Sequence, residues 1–546
     1  MYCRPLLAIV GGLCLLAPPW AAAQSAFPHG VAAGDVTHDT AVLWCRANAA
    51  GQVRLDVATD DLFQTVVATQ VSEANEADDF TLKFDLEGLS PTTAYFYRFV
   101  RLDASEASVS GTFRTAPPPE APQALRFVHS GDSNARAQPF DILAYAAAEQ
   151  PDFWFWAGDT AYADGVADGL PPAVDLSGYR GKHRQNRDDE HLRGLLAAAP
   201  VWVQWDDHEV ANDYDGGELE PHLTASSVAD AYRAFFDYMP IRRQGIADDP
   251  QRIYRSFRYG SLAEFFILDC RQYRSADVGR QGGGPDPRAF LLPTLEFGTI
   301  ALLADPARTM LGTEQLDWLK AGLASSTATW KFVLSSVPFS SLLFLPYDRW
   351  DGYVAERYDI LRFIDLNNVT GVVLLSADIH GNVYNPDVTR FLRDTVRQEF
   401  SPCFRIPEFI AGPIATDTLR EEIAGVGAAI FGIPTGEFDG TLLFDLGFGF
   451  LVDKIVAANQ LRFVEPNRFA YLVVDVTPDG VTLTHKGIAP GQAAAEIETL
   501  HAASLPEPAS CFPAPLLPAC ACLAIADAVR RYRPTPPRLG RAGRRV

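Results

Sequence analysis

Short apolar runs that break at an acid, a histidine or a charged cluster recur through the middle of the chain. Leu125-Arg126-Phe127-Val128 gives way to Ser130-Gly131-Asp132, and Phe153-Trp154-Phe155-Trp156-Ala157 to Gly158-Asp159-Thr160-Ala161-Tyr162. Val201-Trp202-Val203-Gln204-Trp205 runs into Asp206-Asp207-His208-Glu209, and Phe265-Phe266-Ile267-Leu268 into Asp269-Cys270-Arg271. Phe332-Val333-Leu334 ends at Ser335-Ser336, and Val372-Val373-Leu374-Leu375 ends at Ser376-Ala377-Asp378-Ile379-His380. Runs of this length predict strands. Helical periodicity appears between them: one helix is expected from Pro139 to Ala148, and another from Thr313 to Leu323, capped by Thr313 with Leu316, Leu319 and Leu323 on one face. Strands alternating with helices predict an α/β architecture from Leu125 onward.

The first part of the chain has a different rhythm. Thr40–Cys45, Val53–Ala58 and Tyr95–Val100 alternate with period two and are separated by turn residues, which predicts an all-β sandwich over 25–116. Leu89–Tyr97 resembles the corner of fibronectin type III-like domains. Pro117-Pro118-Pro119 opens a stiff linker over 117–124, and the sandwich, which carries no convergent acids, is expected to be a spacer or a cover for the domain at 125–500. Residues 284–312 and 420–460 read as insertions, the second either a lid or extra core.

Composition agrees with an exported, folded protein. The chain has 546 residues, 48% apolar and 11% aromatic, too long for one core and well supplied with material for several. Its net charge of −22 argues against nucleic acid as a bulk or sequence-specific partner, since neutralising phosphates needs a basic face. Residues 1–23 carry Arg4, an apolar run from Leu6 to Leu16 and Ala21-Ala22-Ala23, the plan of a secretory signal peptide. At the other end, 501–546 reads as a tail: Pro506-Glu507-Pro508, an apolar stretch to Val529, then Arg530, Arg531 and Arg533 resemble a bacterial C-terminal sorting signal that would anchor the protein at a membrane or cell surface. Pro513, Pro515 and Pro518 depart from that pattern, so a proline-rich tail is the competing reading. Of eight cysteines only Cys45, Cys270 and Cys403 fall in the body, and they are expected to be buried small hydrophobes rather than a disulfide framework.

Acids placed repeatedly at strand ends converge, because ligands of open α/β sheets bind outside the carboxyl ends of the strands. Carboxylates gathered with a histidine and a tyrosine make a hard-metal site, and two metals about 3.5–4 Å apart can both neutralise a phosphoryl group and activate water. Asp159, in the sharp Gly158-Asp159 turn, is expected to bridge. Tyr162, Asp132 and His380 complete the first site, and Asp207 and Asp378 hold the second. A phenolate favours a ferric ion, and the carboxylate-rich second site suits calcium, magnesium or manganese. His208 is expected to protonate the leaving alcohol with Glu209 orienting it, Arg271 to clamp phosphate, Arg274 to hold the acid beside it and Asn212 to donate to a phosphoryl oxygen.

Five blocks in order, Gly158–Tyr162, Trp205–Val210, Asp269–Arg274, Trp350-Asp351-Gly352-Tyr353 and Ser376–His380, together with Phe27–Asp35 and Leu43-Trp44-Cys45-Arg46, resemble the alkaline phosphatase D family of the metallophosphoesterase superfamily. The resemblance implies a four-layer sandwich of two sheets flanked by helices behind the N-terminal Ig or fibronectin-like domain. It also implies phosphomonoesterase and phosphodiesterase activity on small phosphate esters with Fe3+ and Ca2+, other ions (Mn2+, Mg2+ or Zn2+) remaining open. The family's first strand end usually reads Ser-Cys-Gln, whereas this chain reads Ser130-Gly131-Asp132, closer to the Gly-Asp of purple acid phosphatases. A carboxylate in place of a thiolate hardens the first site and leaves the ion's identity open. Two further readings stand beside hydrolysis of small esters: a phosphodiesterase specialised for lipid or polymer diesters, and a non-enzymatic surface protein retaining the fold.

Overall fold

The computed structural model describes residues 25–508 apart from 168, 217–222, 244–248, 277–303, 343–347, 396–397, 423–455, 458 and 491–496. The expected signal peptide, the tail beyond 508 and most of the two expected insertions lie outside the described residues. The alternating N-terminal segments form β1 (Val31–Gly34), β2 (Ala41–Arg46), β3 (Gly51–Ala58), β4 (Val66–Ala74), β5 (Thr81–Leu86), β6 (Ala94–Arg101), β7 (Glu106–Ala107) and β8 (Gly111–Arg114). Along β6 buried and half-buried residues alternate without a break, as a strand with one face on a core requires. That core joins Leu43, Leu55, Phe84, Tyr97 and Phe99 from both layers of the sandwich.

The sandwich is not a separate spacer. β1 pairs in parallel with β11 (Val201–Gln204) through Gly34 and Val201, so β1, β2 and β5 extend a sheet of the following domain. Gly34 permits this join, because a Cβ there would sit 2.2 Å from the Pro240 carbonyl oxygen. Trp44 ties the same region together, its indole donating to the Asp237 carbonyl at 2.8 Å under the Arg187 guanidinium.

The α/β part begins with β9 (Leu125–Ser130), α1 (Ile142–Ala148) and β10 (Phe153–Ala157), followed by α2 (Leu176–Arg187), α3 (Glu190–Ala198), β11 and α4 (Ala225–Tyr238). Then come β12 (Arg255–Tyr259), β13 (Ala263–Ile267), α5 (Gly312–Ser325), β14 (Trp330–Leu334), α6 (Val354–Leu366) and β15 (Val372–Ser376). The last strands are β16 (Asn382–Asn385), β17 (Glu408–Ile410), β18 (Phe463–Glu465), β19 (Phe469–Thr477), β20 (Gly480–Ile488) and β21 (Glu498–Pro506). They form a nine-stranded sheet in the order β21-β20-β19-β9-β10-β11-β1-β2-β5 and a seven-stranded sheet in the order β12-β13-β14-β15-β17-β16-β18. Between the sheets lies an aromatic core in which Phe127 meets Phe265 and Phe332 edge-on, at 5.2 and 5.4 Å between ring centroids. Residues of α1, α3 and α4 cover the outer face of the larger sheet, and residues of α5 and α6 that of the smaller, which makes four layers. β9, β10 and β11 are mutually parallel, as are β13, β14, β15 and β17, so two sets of carboxyl ends open on the same cleft.

Several local expectations are corrected. The helix expected from Pro139 starts at Ile142, with the amide of Phe140 held instead by Asp189 at 2.9 Å. Thr313 does not cap α5. The amides of Met310 and Leu311 both donate to Glu356, at 3.0 Å each, and that of Gly312 to the Thr309 hydroxyl, so a carboxylate from α6 does what a local cap would have done. The expected tail from 501 is sheet as far as Pro506, which pairs with Gly480. Cys45 and Cys270 are buried free thiols as expected, but Cys403 is exposed and disulfide-bonded. Among the described residues no helix is long and apolar enough to cross a membrane.

Candidate metal centre

The carboxyl ends of β9, β10, β11 and β15 deliver their acids to one buried cluster. Ligand atoms of Asp132, Asp159 and His380 lie within 4.8 Å of one another, as do those of Asp159, Asp207 and His208, and those of Asp206, Asp207 and Asp378. Asp159 belongs to the first two groups and Asp207 to the second and third, so a chain of overlapping sets runs across the cleft. The expected first set is brought together, with the Tyr162 hydroxyl 2.9 Å from His380 Nε2. Asp378 and Asp207 share the third set directly, and with them stands Asp206, a residue the motif reading passed over although it is next to Asp207.

The backbone is strained where these side chains project. Asp132 (φ 62°), Asp159 (φ 50°), Asp378 (φ 70°) and His380 (φ 51°) all occupy the left-handed region, which costs a non-glycine residue about 1–2 kcal/mol. The chain thus turns sharply two residues after β9, β10 and β15, and again at His380, and aims a candidate ligand into the cluster each time. Gly158 makes room for one such turn, since a Cβ there would lie 2.7 Å from that of Asp206. Gly412 makes room for Asp132, whose Oδ2 would be 2.3 Å from any Cβ at that position.

Burial and charge are out of balance in this cluster. Desolvation, with Asp378 and Glu422 nearby, pushes Asp132 up to about 7 despite His380. Desolvation likewise lifts Asp378 to about 7 despite Arg349, and holds Asp159 well above the carboxylate range. Burial and the neighbouring Asp159 and Asp132 push the Tyr162 phenol well above its ordinary value, so a phenolate there needs a cation. Asp132 Oδ2 is buried with no hydrogen-bond partner. Clustered oxygen and imidazole donors, an orphaned carboxylate oxygen and excess negative charge all fit hard divalent or trivalent ions.

Two expected roles are not what the geometry provides. Glu209 does not orient His208: its carboxylate accepts from the Thr160 amide at 2.5 Å, the Thr160 hydroxyl at 2.7 Å and the Asp206 amide at 2.9 Å, bracing the loops that carry Asp159 and Asp207. The partner of His208 is Asp164, 2.8 Å from Nδ1, and the imidazole stacks on Tyr162 at 4.1 Å. Burial would lower the pKa of His208, but Asp164, Asp207 and Asp159 outweigh it and hold the ring protonated well above neutrality. Arg271 is not an open phosphate clamp. Its guanidinium is 1% exposed, grips Asp206 through two bonds of 2.6 and 2.7 Å, and reaches Asp348 at 2.6 Å and Asp378 at 3.4 Å. Arg274 holds an acid, Asp348 at 2.7 Å, the same carboxylate that Arg271 reaches. Asn212 is exposed, its main-chain N–H donating to Asp164 at 2.8 Å.

Residues missed in the sequence come from loops without a strand-end signature. Arg349 Nε lies 2.5 Å from Asp378 Oδ2, and Asp348 sits beneath Arg271, Arg274 and Arg349, whose charges outweigh burial and keep it ionised. Glu422, at the start of the expected 420–460 insertion, lies 2.8 Å from His380 Nδ1 and lifts that histidine to about 9 against burial. Only Asp164 had a usable signal, two residues beyond Tyr162 in the same loop.

The fold and this cluster place the molecule among phosphatase-like α/β proteins. A purple acid phosphatase from yellow lupin (Lupinus luteus) superposes with a TM-score of 0.50 over 87% of this chain and 73% of its own, at 12% identity, a likeness of fold alone. A solved structure of PhoD superposes with a TM-score of 0.73 over 90% of this chain and 92% of its own, at 26% identity. The alkaline phosphatase D of Bacillus subtilis (strain 168) is 32% identical over 392 residues, covering 65% of this chain and 64% of that protein, so under two thirds of its length is matched. Residues 127–484 match the PhoD-like phosphatase model and residues 14–117 the PhoD-like phosphatase N-terminal domain. The chain belongs to the PhoD-like phosphatase family.

Proposed function

We propose that the chain hydrolyses phosphate mono- and diesters of small molecules at a dinuclear metal site formed by its strand-end acids. The observation that carries this reading is the buried sequence of overlapping ligand sets from Asp132 to Asp378, whose desolvated carboxylates bound cations would stabilise. Asp132, Asp159, Tyr162 and His380 would hold one ion, and Asp207, Asp378 and the shared Asp159 the other. Fe3+ with Ca2+ follows from the family and the phenol; with Asp132 in place of a thiolate, Mn2+, Mg2+ or Zn2+ compete. Bound ions supply the Lewis acidity that offsets phosphoryl charge and acidifies water.

The chain's own residues do the rest. His208, kept protonated by Asp164, donates a proton to the leaving alcohol from Nε2, since Nδ1 is taken. Arg271 and Arg349 hold Asp206 and Asp378 in place and limit repulsion among the acids. Asn212, exposed beside Asp164, meets the incoming ester. Glu209 positions Asp159 through Thr160 and touches no reacting atom.

Export is part of the same proposal: the leader-like residues 1–23 and a disulfide at Cys403 both belong to an oxidising compartment outside the cytoplasm, with surface anchoring by the tail as an extension. Hydrolysis of p-nitrophenyl phosphate and its bis ester by the purified chain tests the activity. Asp159→Asn and His380→Ala are expected to abolish turnover while leaving a folded protein; turnover by either variant would refute the site.

A further inference from the structure

The helix α2 turns a polar face inward. Arg180, Lys182, His183, Gln185, Asn186 and Arg187 are all buried, although polar residues of a surface helix ordinarily face water. Several of them donate to main-chain carbonyls of the loop after β10, the loop that carries Asp159, Tyr162 and Asp164. Gln185 Nε2 donates to the Ala167 carbonyl at 2.7 Å, and Lys182 Nζ to the carbonyls of Gly165 and Leu170. A loop packed outside the sheets needs donors for its carbonyls, and α2 supplies them.

Asn186 reaches further than its neighbours. It is 2% exposed, and its side-chain nitrogen donates to the Ser133 carbonyl at 2.8 Å and the Thr160 carbonyl at 2.7 Å, with the Ser133 hydroxyl at 3.3 Å. Carbonyl oxygens only accept, so these partners settle which end of the amide is nitrogen. Ser133 and Thr160 immediately follow Asp132 and Asp159, both held in left-handed backbone. The two turns also touch each other, the amide and hydroxyl of Ser133 donating to the Asp159 carbonyl at 3.1 and 3.2 Å. Strained turns persist only where their surroundings fix them, and the two protons of one amide here fix both.

We infer that Asn186 is a positioning residue for the ion held by Asp132, Asp159 and His380: by tying the two turns together it sets the spacing of Asp132 and Asp159, and with it the affinity for that ion. The inference rests on the two-ion reading above. All the bonds of the Asn186 side-chain nitrogen go to the turns after β9 and β10, and none to the separate set of Asp206, Asp207 and Asp378, so the second ion depends on it far less.

Equilibrium dialysis of the stripped full-length chain against Mn2+, read by elemental analysis, tests this. The unaltered chain is expected to take up two ions, and Asp132→Asn and Asp378→Asn identify which is which by weakening one each. Asn186→Ala is expected to weaken the ion at Asp132 by about 10- to 100-fold and the other by much less. Added to Asp378→Asn, the loss persists; added to Asp132→Asn, it shrinks, because the ligand that Asn186 positions is already altered. Asn186→Asp keeps the volume but brings at most one proton to the two carbonyls, and it is expected to weaken the same ion even if the alanine variant does not fold. Unchanged affinity, equal weakening of both ions, or full additivity with Asp132→Asn would overturn the inference and leave the two-ion reading intact. An unaltered chain that takes up no ion would overturn that reading, and the inference with it.

Discussion

His208 carries a proton because Asp164, Asp207 and Asp159 together outweigh its burial, and this single residue shows what a motif can and cannot disclose. The block Asp207-His208-Glu209 marks a histidine beside the acids, yet its neighbour in sequence, Glu209, points into Thr160 and Asp206, while the true partner comes from the loop after β10. Adjacent residues on a turn rarely face one another, so the pairing was illegible even though both residues were on view. Asp164→Asn is therefore expected to slow turnover by about 10- to 100-fold with little change in melting temperature. Glu209→Gln is expected to do the reverse, lowering stability by about 1–3 kcal/mol, since it weakens three buried hydrogen bonds. Kinetics and thermal unfolding of the two variants check this, and a Glu209→Gln protein of full stability with no activity would restore Glu209 to a catalytic role.

The strands were the most legible elements. Their apolar runs ended close to where the sheet ends, and the acids just beyond β9, β10, β11 and β15 are the candidate ligands, three of them (Asp132, Asp159 and Asp378) carried into the cluster by left-handed backbone. What could not be read was support from a distance. Glu356 caps α5 from the following helix, Gly412 in the turn after β17 clears space for Asp132, and Glu422 approaches His380 from beyond β17. None of these leaves a periodic mark in its own segment. Gly412→Ala places a methyl group within 2.3 Å of Asp132 Oδ2, so it is expected to displace that ligand and reduce the metal content of the purified protein. Elemental analysis checks this, and full metal content with the extra methyl would show that Asp132 is not a ligand.

For the whole molecule, the sequence anticipated both domains but not that they share a sheet: the single pairing of Gly34 with Val201 depends on tertiary approach, which no run of residues announces. Burial at this scale also sets the response to pH. Desolvation lowers His129 to about 4, and desolvation with nearby arginines lowers His183 to about 3; His485, buried too, falls to about 3. Between those values and about 6.5 the unfolded chain binds more protons, so stability falls as pH drops through that window, by roughly 2 kcal/mol per histidine at pH 5. The raised site carboxylates act in the opposite sense, and bound cations would keep them ionised in the metal-loaded protein. The melting temperature of the metal-loaded protein is expected to fall steadily from pH 7 to 5, and a flat profile would contradict the account of these histidines. The most direct measurement is elemental analysis of protein purified without chelator, coupled to hydrolysis of p-nitrophenyl phosphate and its bis ester before stripping, after stripping and after adding back iron, calcium and manganese. The account predicts about two ions per chain, activity on at least one ester, loss on stripping and recovery on addition. No bound metal and no activity with any added ion would contradict it and leave a surface protein that has kept the fold without the chemistry.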